Sequence, residues 1–277
     1  MEPTYTYQRI PTSRIATFDM FSIGLSKHHI VALLEFDVTD SLRKLKTLKQ
    51  NGTSISFNGW LIRAISIALQ QHREAAAYLH SKRKLIIFND VNISMLVEKE
   101  INDRKVPIPM VIEKANEKSA REITREIRQA KEQDLKDKDI VLQKSAKKLE
   151  RLYYHLPGIF RNAIWKFLLR NPKLAFRKMG NVAITSVGMM GKINGWFIHK
   201  SVHPISFGTG SVIPKAVVKD GAIVIRDMLN MTILIDHDVI DGGPMVRLLN
   251  DLTGAIEQGN ELDIEAGETK GFRTEKI

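Results

Sequence analysis

Met231-Thr232-Ile233-Leu234-Ile235 is apolar and rich in β-branched side chains, and Asp241-Gly242-Gly243-Pro244 follows it after only five residues. The first run reads as a buried strand. The second reads as a turn whose proline suits the first turn of a helix. A chain written this way has to end a rigid strand, reverse within a few residues and begin a helix, and it sets His237 and Asp241 four positions apart in that junction. Imidazole titrates near neutral pH, so His237 can take a proton from a thiol, hydroxyl or amine as that group attacks. Asp241 can fix the ring or brace the loop. The competing structural reading makes His237 a strand-end cap and Asp241 an Asx-type turn.

Other segments come in a recognisable order. Glu35-Phe36-Asp37-Val38-Thr39 reads as a strand before a charged helix at 40–50, and Ser54-Ile55-Ser56-Phe57-Asn58-Gly59-Trp60 as the start of a second helix, with Asn58 as its cap. Asn89 to Val97, Val106 to Ile112, the stretch 119–133 and Asn181-Val182-Ala183-Ile184-Thr185-Ser186-Val187-Gly188 follow in turn.

These segments, with the His237 motif, make most of the sequence resemble the catalytic domain of the acyltransferase component of 2-oxo acid dehydrogenase complexes, and beyond it chloramphenicol acetyltransferase. The resemblance implies strands at 89–97, 106–112 and 181–188 and a helix at 119–133, in an α/β fold with a mixed sheet flanked by helices, assembled as a trimer whose sites lie between neighbouring subunits. It also implies that His237 is the general base, that Asp241 keeps the site ordered and that Thr185 faces the tetrahedral intermediate where the family usually has serine. A threonine hydroxyl can donate the same hydrogen bond to an oxyanion, worth ~3–4 kcal/mol. Ser186 is the alternative donor, and Gly242 and Asn58 are supporting positions. Arg14 matches the amino-terminal arginine that pairs with the motif aspartate, with Arg9 as its competitor. Asp238 stands where the family usually has arginine, and its charge is expected to favour the protonated form of the neighbouring base.

Length and composition fit one catalytic unit over 1–277: 43% of the chain is apolar and 26% charged. Neither a lipoyl domain nor a partner-binding domain is expected, so a lipoyl group would come from another protein. With no cysteine in the sequence, thiol nucleophiles, disulfides and thiolate metal sites are excluded, and no Gly-x-Ser-x-Gly elbow is present for a serine acyl-enzyme. The clusters His28-His29 and His199/His203 lack carboxylates at ligand spacing, so no metal is expected. Gly188, Gly191 and Gly195 read as a loose loop rather than a phosphate cradle, and Trp196 and Phe197 as either acyl-pocket lining or core. No secretory signal opens the chain and no apolar run approaches the ~20 residues that span a bilayer, so a cytoplasmic protein is expected.

The net charge of +11 is uneven: from Lys144 to Lys178 ten Lys/Arg face one acid, Glu150. The segment at about 144–178 reads as a basic helical insertion, in which Ile159, Phe160, Ala163, Ile164, Phe167 and Leu168 recur at helical spacing and Arg161, Asn162, Lys166 and Arg170 take the other side. Packing on its own domain is the plainest use of such a helix. The others are an anionic membrane surface, and an acidic carrier protein or the phosphates of coenzyme A. Nucleic acid is not expected, because no recognition motif accompanies the charge.

The expectation is therefore an acyltransferase with no bound cofactor. It would move an acyl group from a thioester, with coenzyme A as co-substrate, to a thiol, hydroxyl or amine on a small-molecule or carrier-bound acceptor. The alternative is a non-catalytic scaffold or membrane-associated interaction protein of the same fold.

Overall fold

The computed structural model describes residues 4–11, 14–101, 104–132, 152–186, 191 and 193–265. Helix α1 (Arg14–Gly24) leads into strand β1 (His29–Asp37), then α2 (Thr39–Gln50) and α3 (Phe57–Gln71). A small hairpin, β2 (Tyr78–Ser81) with β3 (Lys84–Ile86), precedes β4 (Ile93–Ile101), β5 (Arg104–Ile112) and α4 (Ala120–Glu132). Helices α5 (Gly158–Arg170) and α6 (Pro172–Met179) come next, then β6 (Val182–Ser186), the long pair β7 (Ile205–Lys219) and β8 (Ala222–Asp236), and helices α7 (Gly242–Gln258) and α8 (Asn260–Glu265).

Six strands form one sheet in the order β1-β8-β7-β6-β4-β5. Strand β6 runs parallel to β4 and β7, and the other neighbours are antiparallel, so the sheet is mixed. The fold is α/β, with helices flanking that sheet.

Strand β8 explains the apolar run read from the sequence. From Met228 to Asp236 every residue is buried, and a strand covered on both faces needs apolar side chains without alternation. Its first half is exposed, with Ile223 and Ile225 facing solvent, and starts from a two-residue turn, Asp220-Gly221, in which both residues have positive φ. That turn geometry matches the right-handed twist of an antiparallel pair.

Helix α3 is buried nearly all round, from Gly59 and Trp60 to Leu69, and packs with α4 and α7 over one face of the sheet. Its N-cap is Ser56, whose hydroxyl accepts from Gly59 N at 3.1 Å. Asn58, the expected cap, lies instead within the first turn. The reason is local: Ser56 is the residue with extended backbone, at φ −80° and ψ 151°. A Cβ at Gly59 would overlap the Thr124 hydroxyl, so glycine lets α3 and α4 touch. Helix α4 begins with a capping box, Ser119 and Glu122 bonding each other's backbone N–H.

Helix α5 departs from the expected orientation. None of its residues is buried, and Ile159, Phe160, Ile164 and Phe167 are exposed, whereas Arg161 and Trp165 face the protein. Periodicity identified an apolar stripe but not the surface it meets. The start of the basic segment, 144–151, lies outside the described residues, as does Gly188.

Candidate active site

The motif histidine stands at the end of β8, where the chain leaves the sheet through a turn at 237–239. The turn is stitched from below. Asp236 is fully buried, and its Oδ2 accepts from Lys27 Nζ at 2.7 Å while Oδ1 accepts from the backbone N–H of Asp238 at 3.2 Å. The N–H of His237 donates to the His28 carbonyl at 3.0 Å, and that of Val239 to the Asp236 carbonyl at 3.1 Å. The side chain of His237 is exposed. Lys27, His28 and Asp236 are therefore the residues that hold the histidine's backbone, and sequence reasoning missed all three. The one available signal was a charged residue closing an apolar strand, which has to find a buried partner.

The Asp238 carboxylate turns toward His28, whose Nδ1 lies 3.0 Å from its Oδ1. That hydrogen bond raises the His28 pKa above its usual value. The carboxylate beside the motif histidine is thus engaged by His28.

Asp241 is the N-cap of α7, with extended backbone at φ −88° and ψ 169°, and its carbonyl accepts from Met245 N at 3.1 Å. Its carboxylate makes no capping hydrogen bond and is exposed, so it is available to another group. A Cβ at Gly242 would meet nothing within 4 Å. Arg14 starts α1 with its guanidinium over the Phe18 ring, 5.6 Å from the centroid, and no ion pair to Asp241 is formed among the described residues.

Thr185 and Ser186 face opposite sides of the sheet, as successive strand residues must. Thr185 is level with Gly208 on β7 and Thr232 on β8. This is the side away from α3, where His199 and Phe197 lie over Gly208. Two strand spacings and the five residues from Thr232 to His237 put Thr185 about 19 Å from His237 of the same chain, taking ~4.8 Å between strands and ~3.3 Å per residue. The two expected site residues do not meet within one copy.

Ser186 instead lines a cavity of about 480 Å³ under α3 and α4, with Ser56, Asn58, Thr124, Arg128 and Lys131. A basic cleft adjoins it through Thr124 and Arg128 and adds Arg121 and Arg125. Arg128 donates to Ser54 Oγ at 3.2 Å and Arg121 to Thr53 Oγ1 at 3.3 Å, which orients both guanidiniums along the cleft.

His199 and His203 are structural in their contacts. His203 is buried, with Nε2 2.9 Å from the Met179 carbonyl, and burial pushes its pKa down to about 4. His199 Nε2 lies 2.8 Å from Ser206 Oγ, and burial brings its pKa to about 4 as well. No group of three or more metal-ligating side chains occurs among the described residues. Trp196 is 40% exposed, donates to the Leu34 carbonyl at 3.0 Å and lies under Lys215, outside the core. Val31 and Leu33 are exposed on that same side of the sheet.

The sequence profile of the 2-oxoacid dehydrogenases acyltransferase (catalytic domain) family matches residues 6–141 and 169–264. The chain is 25% identical over 253 residues to the dihydrolipoyllysine-residue acetyltransferase component of the pyruvate dehydrogenase complex of Bacillus subtilis, covering 87% of this chain and 48% of that protein. It is 24% identical over 241 residues to the lipoamide acyltransferase component of the branched-chain alpha-keto acid dehydrogenase complex of the same organism, covering 84% of this chain and 47% of that protein. The chain thus spans about half the length of these curated relatives. Its fold matches the crystal structure of a probable dihydrolipoamide acetyltransferase from Listeria monocytogenes with a TM-score of 0.64 at 22% identity, covering 92% of this chain and 95% of that one. The dihydrolipoamide acetyltransferase of Azotobacter vinelandii matches with a TM-score of 0.64 at 18% identity, over 93% and 94% of the two chains.

Proposed function

The chain belongs to the 2-oxoacid dehydrogenases acyltransferase (catalytic domain) family, and from that premise we propose that it transfers an acyl group between a coenzyme A thioester and a thiol, hydroxyl or amine acceptor. His237 is the general base. Its ring nitrogen takes the acceptor's proton as the acceptor's sulfur, oxygen or nitrogen attacks the thioester carbonyl carbon. The hydroxyl of Thr185 donates to the oxyanion that forms, and collapse breaks the carbon–sulfur bond as the departing thiolate recovers the proton from the imidazolium. Donor and acceptor are held together in one ternary complex, so proximity supplies part of the rate.

The observation that carries this reading is the exposed imidazole on a turn whose backbone is fixed by the buried Asp236, itself paired with the half-buried Lys27. A fixed base with an open front suits proton transfer to a substrate. The Azotobacter vinelandii structure accompanies enzymatic work on a serine, a histidine and an asparagine in that protein's catalytic mechanism, the last two four positions apart. His237 and Asp241 have the same spacing, and Thr185 offers the same hydroxyl chemistry.

The distance of about 19 Å between Thr185 and His237 supports a site completed by a second copy, in keeping with a trimer. Exposed Val31 and Leu33 on the Thr185 face supply apolar surface for that contact. Arg125, Arg128 and Lys131 along the cavity and its cleft fit the phosphates of coenzyme A.

Release of free coenzyme A thiol from a panel of acyl-coenzyme A donors, with dihydrolipoamide and small amine or alcohol acceptors, tests the proposal. Acceptor-dependent release that falls at least about a hundredfold in His237→Ala is the expected result. No turnover with any pair by a folded protein would overturn it in favour of a non-catalytic relative.

A further inference from the structure

Helix α5 carries its apolar side chains on the side away from the protein. Ile159, Phe160, Ile164 and Phe167 are 82%, 59%, 46% and 60% exposed. Its attachment is polar. Arg161 Nε donates to Asp19 Oδ2 of α1 at 2.7 Å, the Tyr153 hydroxyl donates to the same oxygen at 2.6 Å, and Trp165 Nε1 donates to the Tyr153 oxygen at 3.0 Å. Asp19 is buried, so this network fixes how the helix is rolled and makes the outward stripe a property of the fold. Helix α1, against which α5 packs, also exposes Phe18, Phe21 and Leu25.

The charge around the stripe has one sign. At about 100° per residue, Lys166 and Arg170 fall along one border of the stripe, and Lys173, Arg177 and Lys178 of α6 are exposed nearby in the chain. From Arg151 to Lys219 the sequence contains eleven Lys or Arg and no Asp or Glu. The family profile leaves residues 142–168 unmatched, so most of α5 is an addition to the shared domain.

Large apolar side chains edged by cations, with no acid among them, match apolar acyl chains beneath anionic headgroups. Two copies meeting face to face through this stripe would bring these cations against themselves. At 13 residues the helix is too short to cross a bilayer. We propose that α5 is an interfacial helix that docks the protein on an anionic lipid surface, with Phe160 and Phe167 entering the acyl boundary and Lys166 and Arg170 reaching the headgroups.

Flotation of the full chain with vesicles of phosphatidylcholine, alone or with phosphatidylglycerol, is the test. The protein is expected to float only with the anionic vesicles and to be released as salt rises. Lys166→Ala with Arg170→Ala should lower partitioning on the order of thirty-fold, each basic residue being worth about fivefold at such a surface. Phe160→Ser with Phe167→Ser should lower it at least about tenfold. A charge-matched control, Lys46→Ala with Lys49→Ala on α2, should change it little, and circular dichroism should show every variant folded. Wild type remaining at the bottom with anionic vesicles, or a control as impaired as the α5 variants, would overturn the proposal. Capture on immobilised poly-glutamate without vesicle binding would assign the face to an acidic protein and equally overturn it.

Discussion

Thr185 and His237 lie about 19 Å apart in one chain, separated by β7 laterally and by five residue levels along β8. Thr185 sits in β6 and His237 on the turn that follows β8, and a reaction needing both would draw them from different copies. Thr185→Ala and His237→Ala should therefore each be inactive alone. Mixed trimers, made by co-expression and purified through two tags, should recover about one third of wild-type activity, since each mixed trimer has one site in three with both residues. Mixtures as inactive as the parents would rule out a shared site.

The two hydroxyls at the end of β6 are separable because they face opposite sides of the sheet. Loss of an oxyanion donor costs about a hundredfold or more in kcat, so Thr185→Ala should fall by that amount with KM little changed, and Thr185→Ser should retain most activity. Ser186→Ala should act mainly on KM for coenzyme A, because Ser186 lines the cavity beside Arg128 and Lys131. Steady-state kinetics of the three variants read both effects.

Breaking the Lys27–Asp236 pair leaves a fully buried carboxylate without its cation. Lys27→Met should destabilise the protein by about 3 kcal/mol or more in urea unfolding, with a lowered kcat from a loosened His237 turn. Adding Asp236→Asn, which keeps an acceptor for the Asp238 N–H, should return much of the stability. A single variant as stable as wild type would show the pair to be incidental.

His199 and His203 are held neutral by burial, each with a pKa of about 4. Their folded values lie below the ordinary 6.5, so the unfolded chain binds more protons between pH 6.5 and 4. Stability from this source is complete above pH 6.5 and is lost as pH falls toward 4, by on the order of 3 kcal/mol for each histidine. Urea midpoints measured from pH 7 to 4.5 should fall accordingly, and His203→Gln should flatten the slope.

Much of the fold was legible in the sequence. The β8 end, the turn and the α7 start follow from an apolar run, Asp-Gly-Gly-Pro and their spacing, because strand burial and turn chemistry are set within about ten residues. The 106–112 strand and the 119–133 helix were placed nearly to their bounds by the resemblance to the family, whose elements come in the same order. The cap of α3 was misplaced by two residues, since Ser56 and Asn58 are both good caps and only the backbone dihedrals choose between them.

The sequence by itself determined which chemistry the chain carries: a histidine at a strand end, a carboxylate four residues on, hydroxyls on another strand, no thiol, and a basic helix with an apolar stripe. Tertiary structure decided what each of these meets. Lys27 and Asp236 are 209 residues apart and leave no local trace of their pairing. The outward roll of α5 depends on Asp19 reaching Arg161 across 142 residues. Periodicity records that a residue has a face, because neighbours along the chain set it. Which surface that face touches depends on contacts between distant segments, and these form only when the sheet is assembled.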